Sequence, residues 1–116
     1  MKKVIIVEDD RSFSDLVKTY LMSLNSEIKV TCVDDVYGFI RDFVKETPDI
    51  ILLDILLPDI NGYTLLQFLR KLKCDSKIYI MSGINDEMIS FDKNIKIDGF
   101  LHKPFELEDL KRIVLD

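Results

Sequence analysis

Four short apolar runs in this chain each end on residues able to do chemistry. Val4–Val7 runs into Glu8-Asp9-Asp10, Ile50–Leu53 into Asp54, Ile78–Met81 into Ser82, and Phe100–Leu101 into His102-Lys103-Pro104. If the runs are neighbouring strands, their ends bring several carboxylates, a hydroxyl and an ammonium to one edge. Carboxylates a few ångströms apart repel, so without a cation at least one has a raised pKa. A hard divalent ion relieves that repulsion, and Mg2+ suits one or two carboxylates supplemented by carbonyl, water and phosphate oxygens. A carboxylate can also attack phosphorus to give an aspartyl phosphate. Mg2+ and Lys103 would then neutralise the transferring phosphoryl oxygens while Ser82 hydrogen-bonds one of them. Taken singly, each residue is as well explained as a solvated acid or a salt-bridge partner; the combination favours phosphoryl chemistry.

The elements that must position these groups alternate along the chain. The runs are too uniformly apolar for strands with one wet face, the mark of a parallel sheet covered on both sides. Ile28–Val33 is more alternating and Phe100–Leu101 shorter. Phe13, Leu16, Val17, Tyr20, Leu21 and Leu24 recur at helical spacing, with Ser12 or Asp10 as N-cap. Val36, Phe39, Ile40, Phe43 and Val44 form a second stripe, opened by Asp34 and Asp35 and ended before Pro48. Leu65, Leu66, Phe68, Leu69 and Leu72 form a third, and Leu107, Leu110, Ile113 and Val114 a short last one. Asn85–Phe91 predicts a short or irregular helix. Five βα units with right-handed crossovers give an α/β fold, an open doubly wound sheet with helices on both faces. Its ligand site belongs at the carboxyl ends of the strands, where strand order reverses.

The 116 residues predict one domain, 1–116, and 47% hydrophobic residues allow a core without metal or disulfide staples. A formal charge of −5 disfavours an electrostatic grip on nucleic acid or an anionic membrane. No apolar run approaches the roughly 18 residues of a membrane span, and the apolar stretch after Lys2 and Lys3 stops at Glu8, too short for a signal peptide. Cys32 and Cys74 lie far apart without a CxxC, which predicts two buried thiols in a reducing cytosol rather than a zinc site. A soluble cytoplasmic protein is expected.

The segments Glu8-Asp9-Asp10, Asp54 to Gly62 with Pro58, Ser82-Gly83 and Lys103-Pro104-Phe105 together resemble a bacterial response-regulator receiver domain, in order and over essentially the whole chain. The resemblance implies a flavodoxin-like, five-stranded parallel sheet of order 2-1-3-4-5. It implies that Asp54 accepts a phosphoryl group from a histidine kinase or phosphotransfer protein. It makes Asp9 a direct Mg2+ ligand, Glu8 its water-mediated partner, and Asp54 and the Leu56 backbone carbonyl further ligands, with Mn2+ able to substitute. Ser82 takes the place of the switch hydroxyl, Lys103 of the phosphate-binding lysine and Phe100 of the switch aromatic. Asp10 is left as a helix cap or a nearby charge. The Lys103–Pro104 peptide is expected to be cis, and Gly62 to use a left-handed backbone in the loop shaped with Pro58.

The chain departs from the family pattern in places. Ser82 replaces the commoner threonine, Phe100 lacks a phenolic hydroxyl, and the stretch from Ser82 to Lys103 is slightly short. Leu56 and Ile84 are apolar at the positions that modulate dephosphorylation in the family, which predicts a long-lived phosphoryl group. An aspartyl-phosphate phosphatase of the haloacid-dehalogenase type would need an acid at residue 56, and a flavin module a Ser/Thr/Gly-rich loop after Val7. A pseudo-receiver acting without phosphorylation would normally have lost Asp54, Asp9 or Lys103. No output segment follows Asp116, so the expectation is either a stand-alone receiver acting on an unknown protein target or a receiver cut from a longer chain. His102, by strand alternation, points away from Lys103's side.

Overall fold

A computed structural model describes residues 2–57, 59, 61–83 and 96–115. The elements run β1 (Lys2–Val7), α1 (Arg11–Leu24), β2 (Ile28–Val33), α2 (Val36–Lys45), β3 (Ile50–Asp54), α3 (Gly62–Lys71), β4 (Lys77–Ser82), β5 (Gly99–His102) and α4 (Leu107–Leu115). The expected Asn85–Phe91 helix, Ile84 and Pro58 lie outside the described residues. All strand pairs are parallel, in the order β2-β1-β3-β4-β5. This is the expected doubly wound sheet, and its order reverses between β1 and β3.

The uniformly apolar strands have two cores to fill. Val4 and Ile6 of β1, with Ile50 and Leu52 of β3, face Val17 and Leu21 of α1 and Leu110 and Val114 of α4. The alternate residues Ile5, Val7, Ile51 and Leu53 face Phe39 of α2 and Leu65, Leu66 and Leu69 of α3. Successive side chains of a strand point to opposite faces, so an apolar residue at every position is what two covered faces require. Truncating a wholly buried member such as Phe39 to alanine should cost about 3–5 kcal/mol. Edge strand β2 is covered less completely, and Lys29 between buried Ile28 and Val30 accounts for its alternating sequence.

The helical stripes are narrower than the apolar spacing implied. Leu16, Ile40, Val44, Phe68 and Leu72 are all exposed. A helix lying on a sheet buries only a limited arc, and buried Ser14 and Gly62 take positions on that arc instead. The free cysteines Cys32 and Cys74 are half-buried rather than buried, because each sits at the margin of a core. Among the described residues no helix is long and apolar enough to cross a membrane.

Candidate functional site

The strand register assembles the site. Val7 of β1 pairs with Leu53 of β3, so Glu8 and Asp54 follow side by side where the sheet order reverses. Asp54 pairs with Met81, and Ser82 with His102, which brings the hydroxyl and the Lys103 turn to the same edge. Asp10 ends the acidic loop by capping α1, its carboxylate accepting from the Phe13 N–H at 3.1 Å. Between the two expected caps the structure selects Asp10 over Ser12.

Beyond β3 the chain must turn tightly beneath Asp54. The Leu56 N–H donates to Asp54 Oδ1 at 2.9 Å, and Gly62 N–H to the Ile55 carbonyl at 2.8 Å. Gly62 does not have the expected left-handed backbone, since no described glycine has a positive φ. Its role is close approach: a Cβ there would stand 2.5 Å from the Asp54 carbonyl oxygen and 2.7 Å from Ile55 Cα. A side chain at 62 would therefore push on the backbone that carries Asp54.

Opposite the acids, the Lys103 N–H donates to the Ser82 carbonyl at 2.8 Å, and the Lys103–Pro104 peptide is cis, as the resemblance implied. The Lys103 ammonium donates to Glu8 Oε1 at 2.9 Å and to Asp54 Oδ2 at 3.2 Å. Its nitrogen also lies 4.6 Å from the centre of the Phe13 ring, and Phe13 meets Phe105 edge to face at 5.6 Å.

Two buried carboxylates thus share one ammonium. Glu8 is 3% and Asp54 6% exposed, while Asp9 is exposed. Burial, followed by the adjacent Asp54, pushes the Glu8 carboxyl up to about 8 against the pull of Lys103. For Lys103, burial alone would lower the pKa; the Glu8 and Asp54 carboxylates outweigh it and raise the ammonium above its ordinary 10.5. Glu8 Oε2 is buried with no hydrogen-bond partner. A proton shared with Asp54 would satisfy it, and so would a cation. Oxygen atoms of Glu8, Asp9 and Asp54 lie within 4.8 Å of one another, a hard-oxygen set suited to a divalent cation of the Mg2+ type.

Ser82 is buried beside Asp54's strand, whereas Phe100 is half-buried on the edge strand with its ring 4.7 Å from His102. His102 is exposed and lies on the sheet edge, as its alternation indicated. The Leu56 side chain is 59% exposed at the mouth of the site. Phe13 is the site residue that sequence reasoning missed, because its spacing assigned it wholly to the α1 core stripe. Its place in the first turn after an acidic cluster was the available signal.

A doubly wound parallel sheet with an acid cluster and a lysine at its switch point defines a class of phosphoryl-accepting signalling domains. The model of the response regulator receiver domain family matches residues 4–115, and the chain belongs to that family, a module of phosphorelay signalling. It is 31% identical over 115 residues to the DNA-binding dual master transcriptional regulator RpaA of Synechocystis, covering 95% of this chain and 46% of that protein. It is 32% identical over 114 residues to the transcriptional regulatory protein CiaR of Streptococcus pneumoniae, covering 96% and 49%. The chain therefore spans about half the length of these relatives. Among solved structures, a CheY-like receiver domain protein from Methanospirillum hungatei superposes with a TM-score of 0.86 at 27% identity, covering 99% of this chain and 91% of that one. The response regulator TrrA from Thermotoga maritima, solved in complex with Mg2+ and a beryllium fluoride, shares the fold with a TM-score of 0.84 at 23% identity, covering 99% and 97%.

Proposed function

We propose that Asp54 accepts a phosphoryl group from a histidine kinase or phosphotransfer protein in a Mg2+-dependent reaction, and that residues 1–116 act as one receiver unit. The observation that carries this reading is the convergence of Glu8, Asp9 and Asp54 oxygens within 4.8 Å, with the Lys103 nitrogen 3.2 Å from Asp54. Glu8, Asp9 and Asp54, with the Leu56 carbonyl, would hold the ion, and Mn2+ could take its place. When bound, the ion supplies charge neutralisation at the attacking and transferring oxygens. One Asp54 oxygen attacks phosphorus as the P–N bond to the donor imidazole breaks. The imidazole nitrogen keeps the electron pair and takes up a proton from water. The Lys103 ammonium and the Ser82 hydroxyl stabilise the phosphoryl oxygens.

The new phosphoryl group adds about −1.5 to −2 charges at neutral pH. Ser82 moving toward it would free space for Phe100 to turn inward and repack the surface around β5 and α4, a population shift read by a downstream protein. The chemistry is confined to the protein's own phosphorylation and dephosphorylation, and Leu56 and Ile84 slow the latter by hindering water. The setting is cytoplasmic, and the contacts are with proteins rather than nucleic acid or membrane. Incubation with acetyl phosphate and Mg2+ followed by intact mass measurement tests the core of this reading. A single phosphoryl addition that vanishes in Asp54→Asn is expected; no addition to the wild type would overturn it.

A further inference from the structure

We propose that Phe13 is a positioning residue for phosphoryl transfer, its ring face holding the Lys103 ammonium over the pocket. The proposal rests on Asp54 being the phosphoacceptor. Lysine carries its charge on a flexible four-carbon stem, so a catalytic ammonium needs contacts that hold it in place. Both carboxylates that bond Lys103, at 2.9 and 3.2 Å, also belong to the oxygen set suited to a divalent ion. Once Glu8 and Asp54 turn to a bound cation, their hold on the ammonium weakens at the moment it is needed by the phosphoryl group. The Phe13 ring, 4.6 Å from the nitrogen, is a partner that no cation competes for. Its negative π face attracts an ammonium without fixing its direction, which leaves the N–H bonds free to turn from carboxylate to phosphoryl oxygen.

The ring is itself held at both ends. Its backbone N–H is bonded to Asp10, one residue past Asp9, and its side chain meets Phe105 at 5.6 Å and an interplanar angle of 79°. Phe105 follows Lys103 across Pro104, so this aromatic contact ties the start of α1 to the lysine turn, alongside the Lys103–Glu8 ion pair. A ring that only filled apolar space would serve as well with its π charge removed.

That difference sets the experiment. The full chain is prepared with phenylalanine, monofluoro-, difluoro- and trifluorophenylalanine at residue 13, which drain the ring face stepwise with little change of shape. Phosphorylation by acetyl phosphate with Mg2+ is timed by intact mass, and the thermal midpoint is measured on the same samples. The rate should fall stepwise, by roughly five-fold over the series, at an unchanged midpoint. In the metal-free protein, the Lys103 ε-methylene proton resonances should lie upfield under the ring current and return to ordinary values in Phe13→Leu. A flat series with a phosphorylated wild type overturns this proposal alone, as does a rate that falls only in step with the thermal midpoint, or ordinary Lys103 shifts in the wild type. A wild type that takes no phosphoryl group overturns the Asp54 reading and this one together.

Discussion

The two ends of the sheet solve the same electrostatic problem in opposite ways. At the amino ends of the strands, buried Lys3 donates to the Glu46 carbonyl and carboxylate, both at 3.2 Å, and its backbone N–H to Asp49 at 2.8 Å. There Ser76 donates to the Pro48 carbonyl at 2.6 Å, and the Lys2 ammonium to the Val114 carbonyl at 2.6 Å. At the carboxyl ends two buried acids divide one ammonium, and Glu8 Oε2 is the buried side-chain oxygen or nitrogen left without a partner among the described residues. Burial of a polar group costs free energy unless it is paired. One end is therefore closed and structural, while the other sets two buried carboxyls against one ammonium, an arrangement that favours taking up a proton or a cation. Shifted ionisation at a cleft is the usual physical mark of a site that reacts.

The largest expected effect breaks the reactive end. Lys103→Met should slow phosphorylation by acetyl phosphate about 100-fold, the scale on which a positioned donor to developing charge acts. Timed intact-mass spectra measure it, and an unaltered rate would remove Lys103 from the chemistry. The Glu8 carboxyl makes the next prediction. Its folded pKa, about 8, lies above the ordinary 4.5, so its contribution to stability is intact below about pH 4.5 and is lost as pH climbs through 8. The metal-free protein should thus melt at falling temperature between pH 5 and 8.5, and Glu8→Gln should flatten that slope. Mg2+ at about 100 times its Kd should raise the thermal midpoint by roughly 10 °C at pH 8.5 and by less at pH 6, where binding must first expel a proton. A calorimetric series at the two pH values checks both signs.

Smaller effects sharpen the contrast. If Leu56 hinders water as proposed, Leu56→Asn, which puts a polar group at this exposed position, should shorten the phosphoryl lifetime, read as loss of the added mass with time; unchanged or slower decay would count against that role. Ser76→Ala, at the closed end, should cost about 1–2 kcal/mol in a denaturant titration by orphaning a buried carbonyl. Its phosphorylation rate should match the wild type. A change there would show that the two ends are coupled through the sheet.

Much of this was readable in one dimension. Uninterrupted runs such as Ile50–Leu53 declare burial on both faces, because strand geometry alternates whatever the partner. Acids directly after such runs declare a charged edge, and the order of motifs from Glu8 to Phe105 declares the receiver family. Less readable were the burial arcs of the helices, since Leu16 and Ile40 keep helical spacing yet fall outside what a sheet can cover. The need for glycine at 62 was legible, but its cause was not: backbone contact with Asp54 and Ile55 exists only after α3 docks.

The chain's own order determined which chemical groups stand at the strand ends, because local hydrophobic period and the residues that interrupt it are properties of neighbours in sequence. Only the tertiary structure decided how those groups share charge. Register set Glu8 against Lys103 at 2.9 Å, left one oxygen unpaired, and placed an α1 ring beneath the ammonium. Distances of that kind depend on residues some ninety positions apart meeting through packing, and electrostatic energies in a low-dielectric pocket change steeply with them.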